Sequence, residues 1–221
     1  MSDLTTSEQL FQTFCDAHNI EWQRVPRATT QTPDYEIGIH GQRIIVEIKQ
    51  IDPSKDEKRE MRELIKTGRT ISGNGAPGDR MRRIIDVANR QLRNRSQGRF
   101  PSLAVVYNNV PHTLHADPYC VLVAMYGLEQ LNLRVPQDPT FPIRIVGESF
   151  GGERMMTPSS CTSTSAVAVF RSNDVVDCTL DVYHNIYAAV PLNPEVLTGL
   201  PVRQYTLPHP GEREFQRWED I

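Results

Sequence analysis

TPDYEIGIHGQRIIVEIKQI, residues 32–51, reads as a β-hairpin that carries charge where a hairpin core is normally apolar. Asp34 opens the first strand, expected over 34–39. The second, over 43–51, is apolar at Ile44, Ile45, Val46, Ile48 and Ile51, yet it holds Glu47 and Lys49 in its middle. Side chains alternate faces along a strand, so Glu47 and Lys49 share one face. His40-Gly41 supplies the turn, because short hairpin loops need positive φ and Gly tolerates it. The turn lies between Asp34 and Glu47, so folding back can bring the two carboxylates together. Burying two acids and a lysine in an apolar sheet is costly unless a metal or ligand compensates them.

Upstream, Leu10, Phe11, Phe14 and Ala17 fall at helical spacing, which predicts a helix over 8–18 with Ser7 as N-cap and Glu8 in its first turn. Residues 20–25 alternate as a strand, and 27–32 are a polar loop. Downstream, 52–66 is charged with a helical trace, and 68–78 contains SGNGAPG, a loop composition. Asp79 is the expected cap of a helix over 79–95 striped by Met81, Ile84, Ile85, Ala88 and Leu92, with Gln91 on the same side. SLAVVY at 102–107 is a buried strand. The later chain offers an apolar helix over 117–127 and a short strand over 143–146. It then offers strands over 166–170 and 179–189 joined near Asn173-Asp174, and a terminal helical segment, EREFQRWEDI. No repeat is present.

The chain has 221 residues, 24 Lys and Arg against 27 Asp and Glu, and a net charge of −3. That length suits a single domain over 1–221, and the balance excludes a whole-protein basic field. Charge is local instead: residues 52–99 hold 13 basic against 7 acidic side chains. A run like this is ordinarily a solvated helix face. Its arginines, Arg80, Arg82, Arg83 and Arg90 among them, also suit a phosphate-contacting surface, since guanidinium forks match phosphate oxygens. Cys15, Cys120, Cys161 and Cys178 are widely spaced, as free thiols in a reducing compartment would be. The opening MSDLTTSEQL has no signal-peptide pattern and no apolar run is long enough to span a bilayer, so the expectation is a cytoplasmic protein without membrane contact. The six histidines form no HxH or HxxxH pair, and neither GxSxG nor GxxxxGK[ST] occurs.

Hard divalent cations prefer carboxylate and carbonyl oxygens. Asp34, Glu47 and the Ile48 carbonyl would offer three such ligands to Mg²⁺, with Mn²⁺ able to substitute. Lys49 beside them would orient water or stabilise charge growing on a phosphate. The plain alternative is a turn followed by a solvated strand face. The apolar run around Glu47, which marks a central strand, speaks against it.

Pro33-Asp34, followed after twelve residues by Glu47-Ile48-Lys49, resembles the PD-(D/E)xK nuclease superfamily. The resemblance covers about the first 110 residues. It implies an α/β (α+β) fold with a restriction-endonuclease-like α-β-β-β-α-β core and a mixed central sheet. Residues from about 111 to 221 would be a C-terminal elaboration containing a β-hairpin. It also implies metal-dependent phosphodiester hydrolysis by a DNA endonuclease, with Asp34 and Glu47 on the metal and Lys49 assisting water attack. Many members add an acid from the first helix, for which Glu8 is the match. Some add a glutamine, for which Gln50 and Gln91 are the matches. The segment 52–78 departs from the compact core. An inactive nuclease-fold module that binds nucleic acid or a protein is the alternative, and a homodimer would suit a double-strand cutter.

Overall fold

The computed structural model describes residues 4–26, 32–68, 76–110, 115–138, 140–171, 178–207 and 219–221, with the Glu148 side chain left out. In chain order the elements are α1 (Thr6–Ala17), β1 (Glu21–Arg24), β2 (Tyr35–Ile39), β3 (Gln42–Ile51), α2 (Lys55–Thr67), α3 (Asp79–Ser96) and β4 (Ser102–Asn108). There follow α4 (Pro118–Tyr126), β5 (Glu129–Arg134), β6 (Arg144–Phe150), β7 (Ala166–Phe170), β8 (Leu180–His184), β9 (Val202–Thr206) and β10 (Glu219–Asp220).

His40 and Gly41 take φ of 48° and 77°. Two successive positive φ values match the twist of the flanking strands, so β2 folds directly back on β3. Eight strands form one sheet in the order β1-β2-β3-β4-β7-β8-β9-β10, and β5 and β6 form a separate pair. The β1-β2 and β2-β3 pairs are antiparallel, whereas β3-β4, β4-β7 and β8-β9 are parallel. The sheet is therefore mixed and the fold is α/β.

Both faces of β3 are covered, and Ile44 through Ile48 are all buried, as expected of a central strand with helices on either side. On one face Ile44, Val46 and Ile48 pack with Leu10, Phe11 and Phe14 of α1. On the other, Ile45 meets Ala88 and Leu92 of α3. Each such large apolar side chain contributes roughly 1.5–3 kcal/mol on burial. Removing most of the fully buried Leu92 (Leu92→Ala) would cost about 2–5 kcal/mol and loosen α3 from the sheet.

Several boundaries differ from expectation. Thr5, not Ser7, caps α1: its side chain accepts from the Glu8 N–H at 3.2 Å while Glu8 reaches back to the Thr5 N–H at 2.8 Å. Thr-x-x-Glu is the reciprocal capping box. Gly78, not Asp79, holds the cap position of α3, at φ 78°. A Cβ there would lie 2.9 Å from both Ala124 N and Cys120 O, so α3 starts hard against α4. The strand expected over 179–189 ends at His184, because Asn185 turns the chain and its Nδ2 donates to Cys161 O and Thr164 O. β5 and β9 were not foreseen. Within the expected C-terminal helix, Glu219 and Asp220 instead pair with β9. The rest of that helix, the 173–174 turn, residues 27–31 and residues 69–75 lie outside the described residues, although β7 and β8 do pair antiparallel. Among the described residues no helix is long and apolar enough to cross a membrane.

Candidate active site

Pairing fixes the geometry of the candidate site. Arg24 stands opposite Tyr35, and Tyr35 opposite Val46. One step further along the same register sets Asp34 beside Val25 on one side, where the Val25 N–H donates to Asp34 O at 2.9 Å, and beside Glu47 on the other. Directly opposed residues on antiparallel strands have Cβ atoms ~4.5–5.5 Å apart. The Asp34 carboxylate crosses toward β3, where Oδ2 accepts the Ile48 N–H at 2.9 Å.

Asp34, Glu47, Ile48, Lys49 and Gln50 line a cleft of about 390 Å³, with the cap residue Thr5, Ser7 and Glu8 from α1, Arg24 from β1 and Gln91 from α3. The structure thus brings the proposed residues of the hairpin, Glu8 and both candidate glutamines to one place. Ile48 contributes a visible N–H donor there; its carbonyl, the group expected as a ligand, is not what meets Asp34.

Glu47 is fully buried. Its Oε1 accepts from Lys49 Nζ, and its Oε2 has no hydrogen-bond partner. Burial first, and the Asp34 carboxylate second, push its pKa up to about 7, against the pull of Lys49. Burial likewise raises the Asp34 pKa, opposed by the Ile48 N–H and Lys49. Lys49 Nζ is shared with Gln91 Oε1 at 2.8 Å, and Gln91 Nε2 donates to Thr32 O at 3.1 Å. Gln91 therefore holds the lysine between α3 and the segment that leads into β2.

Glu8 arrives with its carboxylate already engaged. Oε2 accepts from the Thr5 N–H and hydroxyl, and Oε1 from Arg24 at 2.6 Å. Gln50 ties β3 to α1, accepting from the Ser7 N–H at 3.1 Å and donating to Asp52 at 2.7 Å. Its amide oxygen thus holds the helix start at the cleft, while its amide nitrogen is tied to Asp52 just beyond β3. Arg24 and Thr5 were not singled out from sequence. The one signal was Arg24 sharing a strand face with Trp22, where an apolar residue would be usual.

None of Arg80, Arg82, Arg83 and Arg90 lines the cleft. Arg80 pairs with Glu57 at 2.7 Å, Arg82 with Asp79 and Glu153, and Arg90 with Asp86 at 2.6 Å one helical turn away. Arg80, Arg82 and Arg90 are thus each paired with a carboxylate of the same chain. Arg83 is exposed on α3.

Among the described residues no group of three or more His, Cys, Asp or Glu side chains is arranged to hold a metal ion. The carboxylates facing the cleft outside a cap or salt bridge with Arg24 are two, Asp34 and Glu47. No protein-family model, curated protein or solved structure matches the chain.

Proposed function

We propose that the chain is a metal-dependent nuclease of restriction-endonuclease-like fold that hydrolyses phosphodiester bonds, with DNA as its substrate. The observation that carries this reading is Glu47 Oε2, a carboxylate oxygen buried without a partner and facing a second carboxylate. Such an atom costs about 1–3 kcal/mol or more unless something positive meets it. Hard oxygens from Asp34 and Glu47 suit Mg²⁺ or Mn²⁺, which characteristically take one or two carboxylates and leave the other positions to water and phosphate. The ion would supply charge to polarise the phosphate and to acidify a bound water. Asp34 and Glu47 would hold it. Lys49, fixed by Gln91, would keep a positive charge beside the attacked phosphate and orient the incoming water. Apart from the inserted α2, the order α1-β1-β2-β3-α3-β4, with the β1–β3 meander antiparallel and β4 parallel to β3, supports the family reading.

The second reading is a module of the same fold that binds nucleic acid or a protein without cutting. It is favoured by one observation: Glu8 is locked by Thr5 and Arg24, leaving two carboxylates rather than three for an ion. Incubation with supercoiled plasmid, linear duplex, single-stranded DNA and RNA, each with Mg²⁺, Mn²⁺ or EDTA, separates the two. Metal-dependent cleavage of DNA, lost in Asp34→Ala, supports the nuclease. No cleavage, together with no metal binding by calorimetry, establishes the binding module.

A further inference from the structure

We propose that a basic pocket, where α3 ends beside the start of β3, holds a backbone phosphate of DNA a few nucleotides from the bond that is cut. The choice of partner rests on the nuclease reading. The pocket measures about 300 Å³, and no residue lines both it and the cleft of Asp34 and Glu47. Three arginines line it and no acid does: Arg43 from β3, Arg95 from the last turn of α3, and Arg99 just beyond the helix.

The charge here is not balanced. Arg43 and Arg95 share one carboxylate, that of Glu36, whereas Arg80, Arg82 and Arg90 have at least one acid each. Arg99 is exposed and pairs with no carboxylate among the described residues. Glu21, two strands away from Arg43 across Gly38, does not line the pocket. A guanidinium carries five N–H donors. Glu36 engages one nitrogen of Arg43 and two of Arg95, so donors remain on both, and both side chains are nearly half exposed. The guanidinium of Arg43 also lies 4.7 Å from the centre of the Phe100 ring, which steadies it from a second side. Ser96, in the same wall, is buried and its hydroxyl has no hydrogen-bond partner. An anchored cluster of arginine forks with a spare hydroxyl suits an anion with several oxygens, as a phosphate is.

Placement selects the backbone of a nucleic acid over a free anion. Arg43 and Glu47 stand four residues apart on β3, so they share a face and lie about 13 Å from each other along the strand. Gln91, Asn94 and Arg95 have the spacing that shares one face of a helix. Gln91 meets Lys49 in the cleft, and Arg95 meets Glu36 one turn further on. Cleft and pocket therefore follow one another along the same flank of α3. Each strand of B-DNA advances ~3.4 Å per nucleotide, so 13 Å corresponds to about four nucleotides. A strand with one phosphate at Asp34 and Glu47 would bring a later one to the arginines. Such a contact carries no base information; it sets affinity and the register of the strand in the cleft.

The test is fluorescence anisotropy of a labelled duplex of about 20 base pairs, titrated with the full chain in EDTA between about 50 and 200 mM KCl. Binding is then read without cleavage. Arg43→Gln, Arg95→Gln and Arg99→Gln should each weaken binding about threefold to tenfold and lower the slope of log K against log salt by about one. Arg134→Gln, which removes the same charge on β5 outside both pockets, should keep the wild-type Kd and slope. Circular dichroism melts identify any variant that fails to fold. Arg99→Gln decides the matter if the two variants that touch Glu36 do, because Arg99 has no ion pair to lose. Wild-type affinity and slope in Arg99→Gln overturn the proposal and leave the nuclease reading standing. An equal loss in Arg134→Gln overturns it too, since net charge alone then sets the affinity. A wild type that binds no DNA at the lowest salt also overturns it, and plasmid cleavage with Mg²⁺ still decides the nuclease reading. Weakened binding in a protein that never cleaves supports the pocket and refutes the nuclease.

Discussion

Glu36 and Glu47 stand on adjacent strands of one hairpin and face the same helix, and both are almost fully buried, 3% and 0% exposed. Their surroundings are opposite. Glu36 accepts from Arg43, from Arg95 at 2.5 Å and from Gln23 at 3.0 Å. Burial alone would raise its pKa, but the Arg95 and Arg43 hydrogen bonds outweigh that and leave it lowered. Glu47 has one lysine, a neighbouring carboxylate and an oxygen with no partner, and it is raised to about 7. One charge is neutralised by the fold itself; the other is left short of positive charge. A third case lies across the sheet: Asp181, also buried, is clamped by Arg171 and by Arg203 at 2.8 Å. The chain is thus able to compensate buried carboxylates, and at Glu47 it does not. Incomplete compensation, rather than burial or acidity alone, is what distinguishes the candidate site.

The comparison breaks most visibly in activity. Asp34→Ala and Glu47→Ala should each lower Mg²⁺-dependent DNA cleavage by about 10³-fold or more, the scale on which removal of a preorganised charge at a reacting phosphate acts. Glu36→Gln should leave cleavage per folded molecule unchanged. Plasmid nicking followed over time measures both, and equal loss in the two classes would erase the distinction.

Stability should move the other way at Glu47. An acid raised from 4.5 to about 7 contributes stability that is present below pH 4.5 and lost as pH rises to about 7. At pH 8 the metal-free wild type therefore carries a penalty of up to about 3 kcal/mol. Glu47→Gln should recover part of it and raise Tm by several degrees while abolishing cleavage. About 10 mM Mg²⁺ should raise the wild-type Tm and leave that of Glu47→Gln in place, because only a carboxylate gains from the ion. Calorimetric melts at pH 5 and pH 8 check both statements. A Glu47→Gln variant less stable than wild type at pH 8 would show that Lys49 already satisfies the acid.

A smaller effect is expected at Gln91, which touches Lys49 and Thr32. Gln91→Ala should reduce kcat by about 10–100-fold with little change in KM, as loss of an orienting partner does. Gln91→Glu should partly restore the rate by keeping an acceptor for the lysine. Unaltered kcat in Gln91→Ala would make the contact purely structural.

The hairpin acids were legible in the sequence because both of their determinants are local. Period-two alternation puts Glu47 and Lys49 on one face, and a two-residue turn sets Asp34 opposite Glu47. The partners that decide their energetics were not. Arg24 reaches Glu8 across 16 residues through the packing of α1 on β1, and Gln91 reaches Lys49 across 42. For the arginines of α3 the sequence offers only a charge run, and the fold adds Glu57 beside Arg80 and Glu153 beside Arg82. Strand β6 was only partly legible, because the extra residue Val146, between the partners of Asn132 and Leu133, interrupts its alternation.

The mildest perturbation sharpens the comparison from the compensated side. Glu36→Gln keeps shape and an acceptor but removes the charge that Arg43 and Arg95 share. Charge-assisted bonds contribute about 1.5–3 kcal/mol, but both arginines are nearly half exposed, so water and salt screen the pair and about 1–2 kcal/mol is the expected loss near pH 7. The pH dependence is opposite to that at Glu47. A lowered folded pKa gives stability that is present above the unfolded value of 4.5 and lost as pH falls through the folded one. The gap between wild type and Glu36→Gln should therefore narrow in acid and shrink in high salt. The gain from Glu47→Gln should instead grow from pH 5 to pH 8. Denaturant melts of both variants at low and high salt read the two slopes together. Slopes of the same sign would mean that the two glutamates, despite their different partners, are compensated alike.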